Sequence, residues 1–293
     1  MEKFKIVTDS CIDLPLRTIE ELDIEVVPLL LTIEGRDYRN YPDEREIRSH
    51  DFYDHLRRGA VPTTASLNPA EQEAAMEKWL GQGIDILCIS FSSALSGTYQ
   101  SAVIAEKALR ERFPERKIVI LDSLCASMGQ GMLVTYAARL QKAGKTLEEV
   151  SQWVIDNRLN VCHLFTVGDL MFLKRGGRLS YGKALLGTLL QMKPLLHVST
   201  EGKLVPTGTV RGRRQAISRM VDRMMDTIVD PENQIIYISH GDCLEEAEEM
   251  RDKIEDRMKT GPILLNPVGP VIGSHSGVGT IALFYLGKDR TAE

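Results

Sequence analysis

Short runs of aliphatic and β-branched residues alternate with longer segments of helical periodicity along most of the chain. The first half contains the runs FKIVTD, EVVPLLLTI, ILCISFS and KIVILDS. The second half contains CHLFTV, LHVS, KLVP, IIYISHG and TIALFYLG. Strands that alternate with helices at this spacing form parallel sheets covered by helices. The pattern therefore predicts an α/β protein.

Several helix starts are marked by capping residues. Asn68-Pro69 places a cap and a first-turn proline before AEQEAAMEKWL. Thr146 with Glu149, and Asp242 with Glu245, have the spacing of capping boxes. Helices are therefore expected to begin at these three places.

The pattern changes after residue 157. LHVSTEGKLVP resembles a hairpin that turns at Glu201-Gly202, which indicates a mixed sheet in the second half. We expect two domains, residues 1–157 and 158–293. The first is predicted to be a three-layer α/β/α unit with a mainly parallel sheet, and the second an α/β unit with a mixed sheet. ALLGTLLQM, within the second, has the pattern of an apolar helix.

Composition is that of an ordinary globular protein, with 43% apolar and 26% charged residues among 293. The five cysteines are scattered and form no C-x-x-C pair, which favours reduced thiols in a reducing compartment. Cys88 and Cys162 lie in apolar runs and are expected to be core residues.

The histidines show no close metal-binding spacing. Without a long apolar segment, no stable membrane insertion is expected, and we predict a cytoplasmic protein.

The net charge of −5 conceals a strongly basic segment from Lys174 to Arg219. It has one acidic residue, Glu201, and ten basic ones: Lys174, Arg175, Arg178, Lys183, Lys193, Lys203, Arg211, Arg213, Arg214 and Arg219. The segment therefore carries +9 and the remainder −14. A solvated face is one interpretation, and a surface that meets phosphate or an acidic partner is the other. No DNA- or RNA-binding signature accompanies it, so a nucleic-acid partner is not expected.

A serine-rich turn, SFSSALSGTYQSA, joins a predicted strand to a predicted helix. Ser96 and Gly97 then stand at the helix N-terminus, at the carboxyl edge of a parallel sheet, where open α/β sheets place their ligands. Free N–H groups and the helix dipole favour an anion there. A serine at this position is equally consistent with a simple cap.

Four further stretches contain candidate site residues. PTTASLNPAEQ places Thr64 before the Asn68 helix start, and GPVIGSHSGVGT places His275 in a glycine-rich loop where close backbone approach to a ligand is possible. KRGGRLS presents Arg178 after a strand, and TVRGRRQA presents Arg211. A histidine between serines in such a loop favours a functional role.

Motifs for nucleotide chemistry are absent from the sequence. There is no G-x-x-x-x-G-K-[ST] phosphate loop, and no G-x-G-x-x-G in a strand-to-helix context. The G-x-S-x-G nucleophile motif is missing as well. We therefore expect no ATP site of the chain's own and no cofactor.

Taken in order, eight segments resemble the DegV family of fatty-acid-binding proteins. They are TDSCIDLP, PTTASLNP, SSALSGTYQSA, LDSLCASMGQG, LKRGGRLS, the KP-LL-G-K-L-P-TGTVR series, SHGD and GPVIGSHSGVGT. The resemblance spans essentially the whole chain. It implies a two-domain α/β fold that buries one long-chain, palmitate-like fatty acid between the domains. It also implies a non-enzymatic role as the acyl-carrying subunit of fatty acid kinase, in which a separate ATP-binding subunit phosphorylates the carboxyl group.

The resemblance also assigns site residues. The carboxylate contacts fall on Thr64 and Ser96, with His275 completing the hydrogen-bond network. Arg178 and Arg211 are expected to face the head group and the kinase subunit. This sequence departs from the usual family pattern after Thr64 and after His275, and its segment around residues 38–52 is longer than usual.

Two other function classes fit parts of the sequence. A serine acyl-hydrolase would use Ser96 and His275 with Asp9 or Asp122, although SSALSG lacks the flanking glycine of a nucleophile elbow. A ligand-sensing regulator would use the basic segment between Lys174 and Arg219.

Overall fold

The computed structural model describes residues 3–179, 192–288 and 290. Its strands are β1 (Phe4–Asp9), β2 (Glu25–Val27), β3 (Leu30–Ile33), β4 (Arg36–Arg39), β5 (Thr63–Ala65), β6 (Asp85–Ser90), β7 (Ile118–Asp122), β8 (Val161–Thr166), β9 (Met192–Val198), β10 (Leu204–Arg211), β11 (Ile236–His240), β12 (Ile263–Pro267) and β13 (Ile281–Leu286). Its helices are α1 (Leu16–Leu22), α2 (Ser49–Arg57), α3 (Pro69–Leu80), α4 (Thr98–Arg112), α5 (Met128–Lys142), α6 (Leu147–Asn157), α7 (Leu170–Arg175), α8 (Arg213–Thr227), α9 (Leu244–Glu255) and α10 (Pro270–Ser276).

The first sheet is parallel throughout, in the order β2-β1-β6-β7. Every residue of β1 and β6 is buried, as expected for strands that are covered on both faces. Helix α3 packs on β1 and β6, and α4 packs on β6 and β7, while α5 contacts β1 and β6. The predicted three-layer unit with a parallel sheet is confirmed.

The second sheet is mixed, with the order β10-β9-β8-β13-β11-β12. Only β11 and β12 are parallel, and the other neighbours are antiparallel. Strands β9 and β10 form the predicted hairpin, and Ser199 and Lys203 close its turn around Gly202 (φ +76°). Helices α8 and α9 cover one face of this sheet. The mixed α/β character of the second unit is therefore confirmed.

Helix α5 lies between the two large sheets. It contacts β1 and β6 of the first sheet and β8, β11 and β13 of the second. Gly129 permits this close packing, since a Cβ atom there would lie 2.1 Å from the His163 Nε2 atom on β8. The two units share a buried helix and a continuous apolar core. The predicted domain boundary after residue 157 falls between α6 and β8 and remains a prediction.

A small antiparallel sheet, β4-β3-β5, accompanies the first unit and corrects one prediction. EVVPLLLTI is not one strand: β2 ends before Pro28 and belongs to the large parallel sheet, whereas β3 belongs to the small sheet. Proline cannot donate to a strand ladder, which explains the break. On its other side β3 pairs with β5, and Leu31 stands opposite Thr64.

Two of the predicted helix caps are confirmed and one is wrong. Asn68 forms a capping box with Glu71, and Thr146 forms one with Glu149. Helix α9 instead begins after Cys243 without a side-chain cap. The Asp242 carboxylate is occupied by His50 and Arg57 of α2, so it is unavailable to its own helix.

The glycine-rich stretch around His275 is largely helical and not a loop as predicted. Pro270 occupies the first turn of α10, and Gly277 (φ +79°) ends the helix. Cys88 and Cys162 are buried core residues, as expected. The predicted ALLGTLLQM helix lies outside the described residues. Within the described ranges, none of the helices combines the length and apolar character needed to span a membrane.

Candidate functional site

A cavity with about 850 Å³ of unfilled space, including the part open to solvent, lies between the two units. The first unit contributes residues from the small sheet and from the loops before α4 and α5. The second contributes one face of its mixed sheet, together with α7 and α10. Most of the wall is apolar, formed by Leu29, Phe91, Leu95, Phe165, Leu173, Val198, Leu204, Val268, Val271, Ile272, Ala282 and Phe284.

Thr64 and His275 form a hydrogen bond across the two units at this cavity. The Thr64 Oγ1 and His275 Nε2 atoms are 2.8 Å apart, although the residues are 211 positions apart in sequence. Thr64 is held by the pairing of β5 with β3, and His275 by the last turn of α10. The structure therefore brings these two predicted site residues together.

The hydrogen-bond pattern of His275 indicates which proton it carries. Burial, and then the positive charge of Arg178, lowers its pKa to about 4, so the ring is neutral near pH 7. Nδ1 is buried without a partner among the described residues and faces Gly176, where a Cβ atom would lie 2.3 Å away. A buried N–H without an acceptor is costly, which favours the proton on Nε2. Thr64 then accepts this proton and keeps its own hydroxyl proton for a ligand.

Ser96 lies in the cavity wall immediately before α4, as predicted. Its Oγ atom lies 3.0 Å from Thr98 Oγ1 and accepts a hydrogen bond from the Thr98 N–H at 3.3 Å. The residue is half-buried, so its hydroxyl serves the first turn of the helix and also faces the cavity. Both predicted roles of Ser96, in capping and at the site, are compatible with this geometry.

Arg178 also lines the cavity. Its Nε donates to the Leu95 carbonyl at 3.2 Å, and its Nη1 donates to the Gly176 carbonyl. The bond to Leu95 crosses from the second unit to the loop that carries Ser96. A second space, here called the outer groove, borders the cavity; Thr64, Arg178 and His275 line both spaces. Thr64, Arg178 and His275 therefore stand at the mouth of the cavity.

Arg211 is not part of this cluster. It is exposed at the end of β10, outside the cavity wall, opposite Met192. The next residue of β9, Lys193, donates to the Gly168 carbonyl just before α7 at 3.2 Å. This contact places the Arg211 end of the hairpin near the side of the molecule where α7 and the outer groove lie.

Part of the basic segment is neutralised by ion pairs. Arg213 bonds Glu246 at 2.8 Å, and Lys203 bonds Glu201 at 2.5 Å. Lys183 lies outside the described residues. Glu246 lies outside the segment, so its pair with Arg213 lowers the local charge below the sequence total of +9, whereas Glu201 is already counted in that total.

Several polar residues of the wall were not singled out from the sequence. Ser127 and Ser239 have hydroxyls 3.1 Å apart, and Ser276 has a buried Oγ without a partner among the described residues. His163 is also in the wall; burial, and then the charge of Arg290, holds its pKa well below the usual value. Ser276 directly follows His275, so the glycine-rich motif already contained the signal for it.

A hydrolase triad is not assembled around Ser96. His275 Nε2 bonds Thr64 rather than Ser96, and its Nδ1 meets no carboxylate in the part of the chain that the structure describes. Asp9 accepts hydrogen bonds from the backbone N–H groups of Cys11 and Phe91. Asp122 accepts them from the backbone N–H groups of Ser93 and Leu124, in the loops that follow β6 and β7. This arrangement does not support the acyl-hydrolase hypothesis.

These features define a two-unit α/β protein with a mainly apolar cavity and a polar mouth. The family model described as "Uncharacterised protein, DegV family" matches residues 3–288. A DegV domain-containing protein of Clostridium perfringens is 42% identical over 290 residues, with 99% of each chain covered. The chain belongs to the DegV family, as its motifs predicted.

Solved structures of the family have the same fold. A Thermus thermophilus structure described as "Fatty Acid Binding of a DegV family Protein" has a TM-score of 0.88 at 31% identity, covering 96% of this chain and 98% of the other. The structure of "DegV, a fatty acid binding protein from Bacillus subtilis" has a TM-score of 0.84 at 28% identity, covering 98% of this chain and 100% of the other.

We predict that the His275 ring stays neutral, and its NMR signals constant, between about pH 5 and pH 8. Burial and Arg178 lower its pKa to about 4. Exposed His50 is the internal control, because its hydrogen bond to Asp242 raises its pKa above 6.5. Since the unfolded His275 has a pKa near 6.5, its contribution to stability is lost as the pH falls from 6.5 toward 4. A His275 titration midpoint near 6.5 would contradict this assignment.

Proposed function

We propose that the chain binds a single long-chain fatty acid in the cavity, with the carboxylate at Thr64, Ser96 and His275. The observation that carries the proposal is the Thr64–His275 hydrogen bond at the mouth of a mainly apolar cavity. The hydroxyl protons of Thr64 and Ser96 would be donors for the carboxylate, together with N–H groups at the start of α4. The Ser276 hydroxyl is a further one, since it is buried and unpartnered within the described residues.

The tail and the carboxylate of such a ligand contribute differently to the binding free energy. Each buried methylene contributes about 0.8 kcal/mol, so a palmitate-like tail of about a dozen methylenes supplies roughly 10 kcal/mol before ordering costs. A carboxylate removed from water requires several hydrogen-bond donors to offset its desolvation. The apolar wall therefore supplies affinity, and the polar mouth orients the head.

The relatives support this ligand class. The Thermus thermophilus and Bacillus subtilis proteins are both described as fatty acid binding, and they align with this chain over nearly its whole length. The apolar wall and polar mouth described above give this chain the features that such a ligand requires.

We further propose that the bound carboxylate is presented to a separate ATP-dependent kinase subunit. A carboxylate oxygen would attack the γ-phosphorus of ATP, and the bond to ADP would break, leaving an acyl phosphate on this chain. Arg178 lies where the cavity meets the outer groove, with its charge near the developing phosphate. Exposed Arg211 would meet the acidic surface of the partner. Use of ATP would place this reaction in the cytoplasm.

Replacing the two hydroxyl donors should weaken fatty acid binding. We expect Thr64→Val combined with Ser96→Ala to raise the dissociation constant for palmitate by about tenfold to a hundredfold per lost donor. Isothermal titration of delipidated protein gives the constant, and mass spectrometry of organic extracts gives the lipid that co-purifies.

The matched control is Thr63→Val with Ser93→Ala. Thr63 and Ser93 are the exposed neighbours of the two donors and lie outside the wall of the cavity. Equal palmitate affinity in both double variants would show that the carboxylate does not bind at Thr64 and Ser96. Absence of fatty acid from protein made in a lipid-containing host, together with no measurable palmitate binding, would overturn the proposed function itself.

Arg211→Ala should separate binding from phosphorylation. The side chain lies outside the cavity wall, so the palmitate dissociation constant should stay within about twofold of the unmodified value. Acyl-phosphate formation by a DegV-partner kinase and ATP should fall at least about tenfold, because rim charges steer association. Arg17→Ala on α1, which removes an exposed arginine paired with Glu21, is the control. Unchanged phosphorylation in Arg211→Ala would contradict the docking role.

A further inference from the structure

Two serine hydroxyls meet in the cavity wall away from its mouth. Ser127 precedes α5 in the first unit, and Ser239 lies on β11 in the second; their Oγ atoms are 3.1 Å apart. Both residues are buried and both line the cavity. We call Ser127 and Ser239 the serine pair.

Helix α10 indicates how far the serine pair lies from the mouth. At its start, the Gly269 N–H donates to Asp13 Oδ1 at 3.0 Å, and Asp13 Oδ2 accepts from Ser127 Oγ at 2.6 Å. At its other end, His275 bonds Thr64. Six residues separate these two ends, which corresponds to about 9 Å along a helix axis.

The wall between the two polar clusters is apolar. Val271 and Ile272 of α10 line the cavity in this interval. A ligand whose carboxylate lies at Thr64 would therefore pass apolar side chains before its chain reaches the serine pair. The polar group that the serine pair would recognise is part of the acyl tail and not of the head.

Hydrogen-bond directions decide what the serine pair offers a ligand. An ionised Asp13 accepts only, so Ser127 donates its proton to Asp13. The Ser127 oxygen then accepts the proton of Ser239. Each hydroxyl has a single proton, so Ser239 has none left for a ligand and presents acceptor lone pairs to the cavity.

The neighbouring polar group of the wall has no comparable capacity. His163 Nδ1 bonds the Val161 carbonyl at 2.9 Å, and its Nε2 accepts from the Ala126 N–H at 3.2 Å. Both ring nitrogens are therefore occupied by backbone groups. Of His163 and the serine pair, only the pair retains hydrogen-bonding capacity toward the cavity.

We propose that Ser239 is a specificity-determining residue that selects acyl chains carrying a hydroxyl group part-way along the tail. This rests on the proposed fatty acid binding. A ligand hydroxyl would donate its proton to Ser239 Oγ and extend the chain of hydrogen bonds to Asp13. A keto group has lone pairs but no proton, so it would meet the Ser239 lone pairs without a hydrogen bond.

The test compares stearic acid with series of hydroxystearic and oxostearic acids substituted at successive carbons. Dissociation constants are measured by titration well above pH 7, because burial raises the Asp13 pKa to about 7 and the carboxylate must be ionised. At the carbon that meets Ser239, the hydroxy acid should bind about tenfold more tightly than the oxo acid. At other carbons both substituents should weaken binding alike.

Ser239→Ala should abolish that difference, when the affinity for each substituted acid is taken relative to that for stearic acid in the same variant. Ser151→Ala on α6, which removes a buried hydroxyl bonded to the Leu147 carbonyl, is the matched control and should retain the difference.

Asp13→Asn supplies an independent readout. When the new amide oxygen accepts the Gly269 N–H, the NH₂ group of the same amide donates to Ser127. The Ser127 hydroxyl would then donate to Ser239. The Ser239 proton would therefore be available to a ligand in the cavity. The affinity for the oxo acid should then rise about tenfold relative to the affinity for the hydroxy acid. Stearic acid binding without a preference for the hydroxy acid over the oxo acid at any carbon, or a preference that survives in Ser239→Ala, would overturn the role of Ser239 alone. Failure of all these acids to bind would instead overturn the proposed function.

Discussion

The hydrogen bond between Thr64 and His275 is the interaction on which the site depends. It joins a three-residue edge strand of the first unit to the last turn of a short helix in the second. Neither unit contains both partners, so the site exists only when the units are packed together. Burial keeps His275 neutral, which lets one ring nitrogen hold Thr64 and leaves the threonine proton for an anion.

The same packing creates the cavity behind that hydrogen bond. Helix α5 is shared by both large sheets, and close contact at Gly129 fixes their separation. The space that remains has apolar side chains along most of its wall and polar groups at the mouth and at the serine pair. In the proposed function, the apolar wall supplies affinity for a chain of methylenes, and the polar groups orient that chain and select its substituents.

Features that depend on local sequence could be predicted, and those that depend on tertiary contacts could not. The Asn68 and Thr146 caps and the β9–β10 hairpin follow from neighbouring residues. The Asp242 cap failed because residues of α2 take its carboxylate. Local composition singled out Thr64 and His275, but only the family motifs joined them in one site, since no periodicity reveals a contact across 211 positions. Ser127 and Ser239 lie in the family segments LDSLCASMGQG and SHGD, but their pairing has no local signal because distant elements bring them together.

The most direct measurement is a crystal structure with a fatty acid that carries bromine at the end of its tail. The anomalous signal locates the tail independently of the protein model, and the remaining density locates the head. We predict a carboxylate within hydrogen-bond distance of Thr64 Oγ1 and bromine among the apolar side chains behind α10. Bromine at the outer groove with the carboxylate inside, or a ligand bound only on the surface, would contradict it.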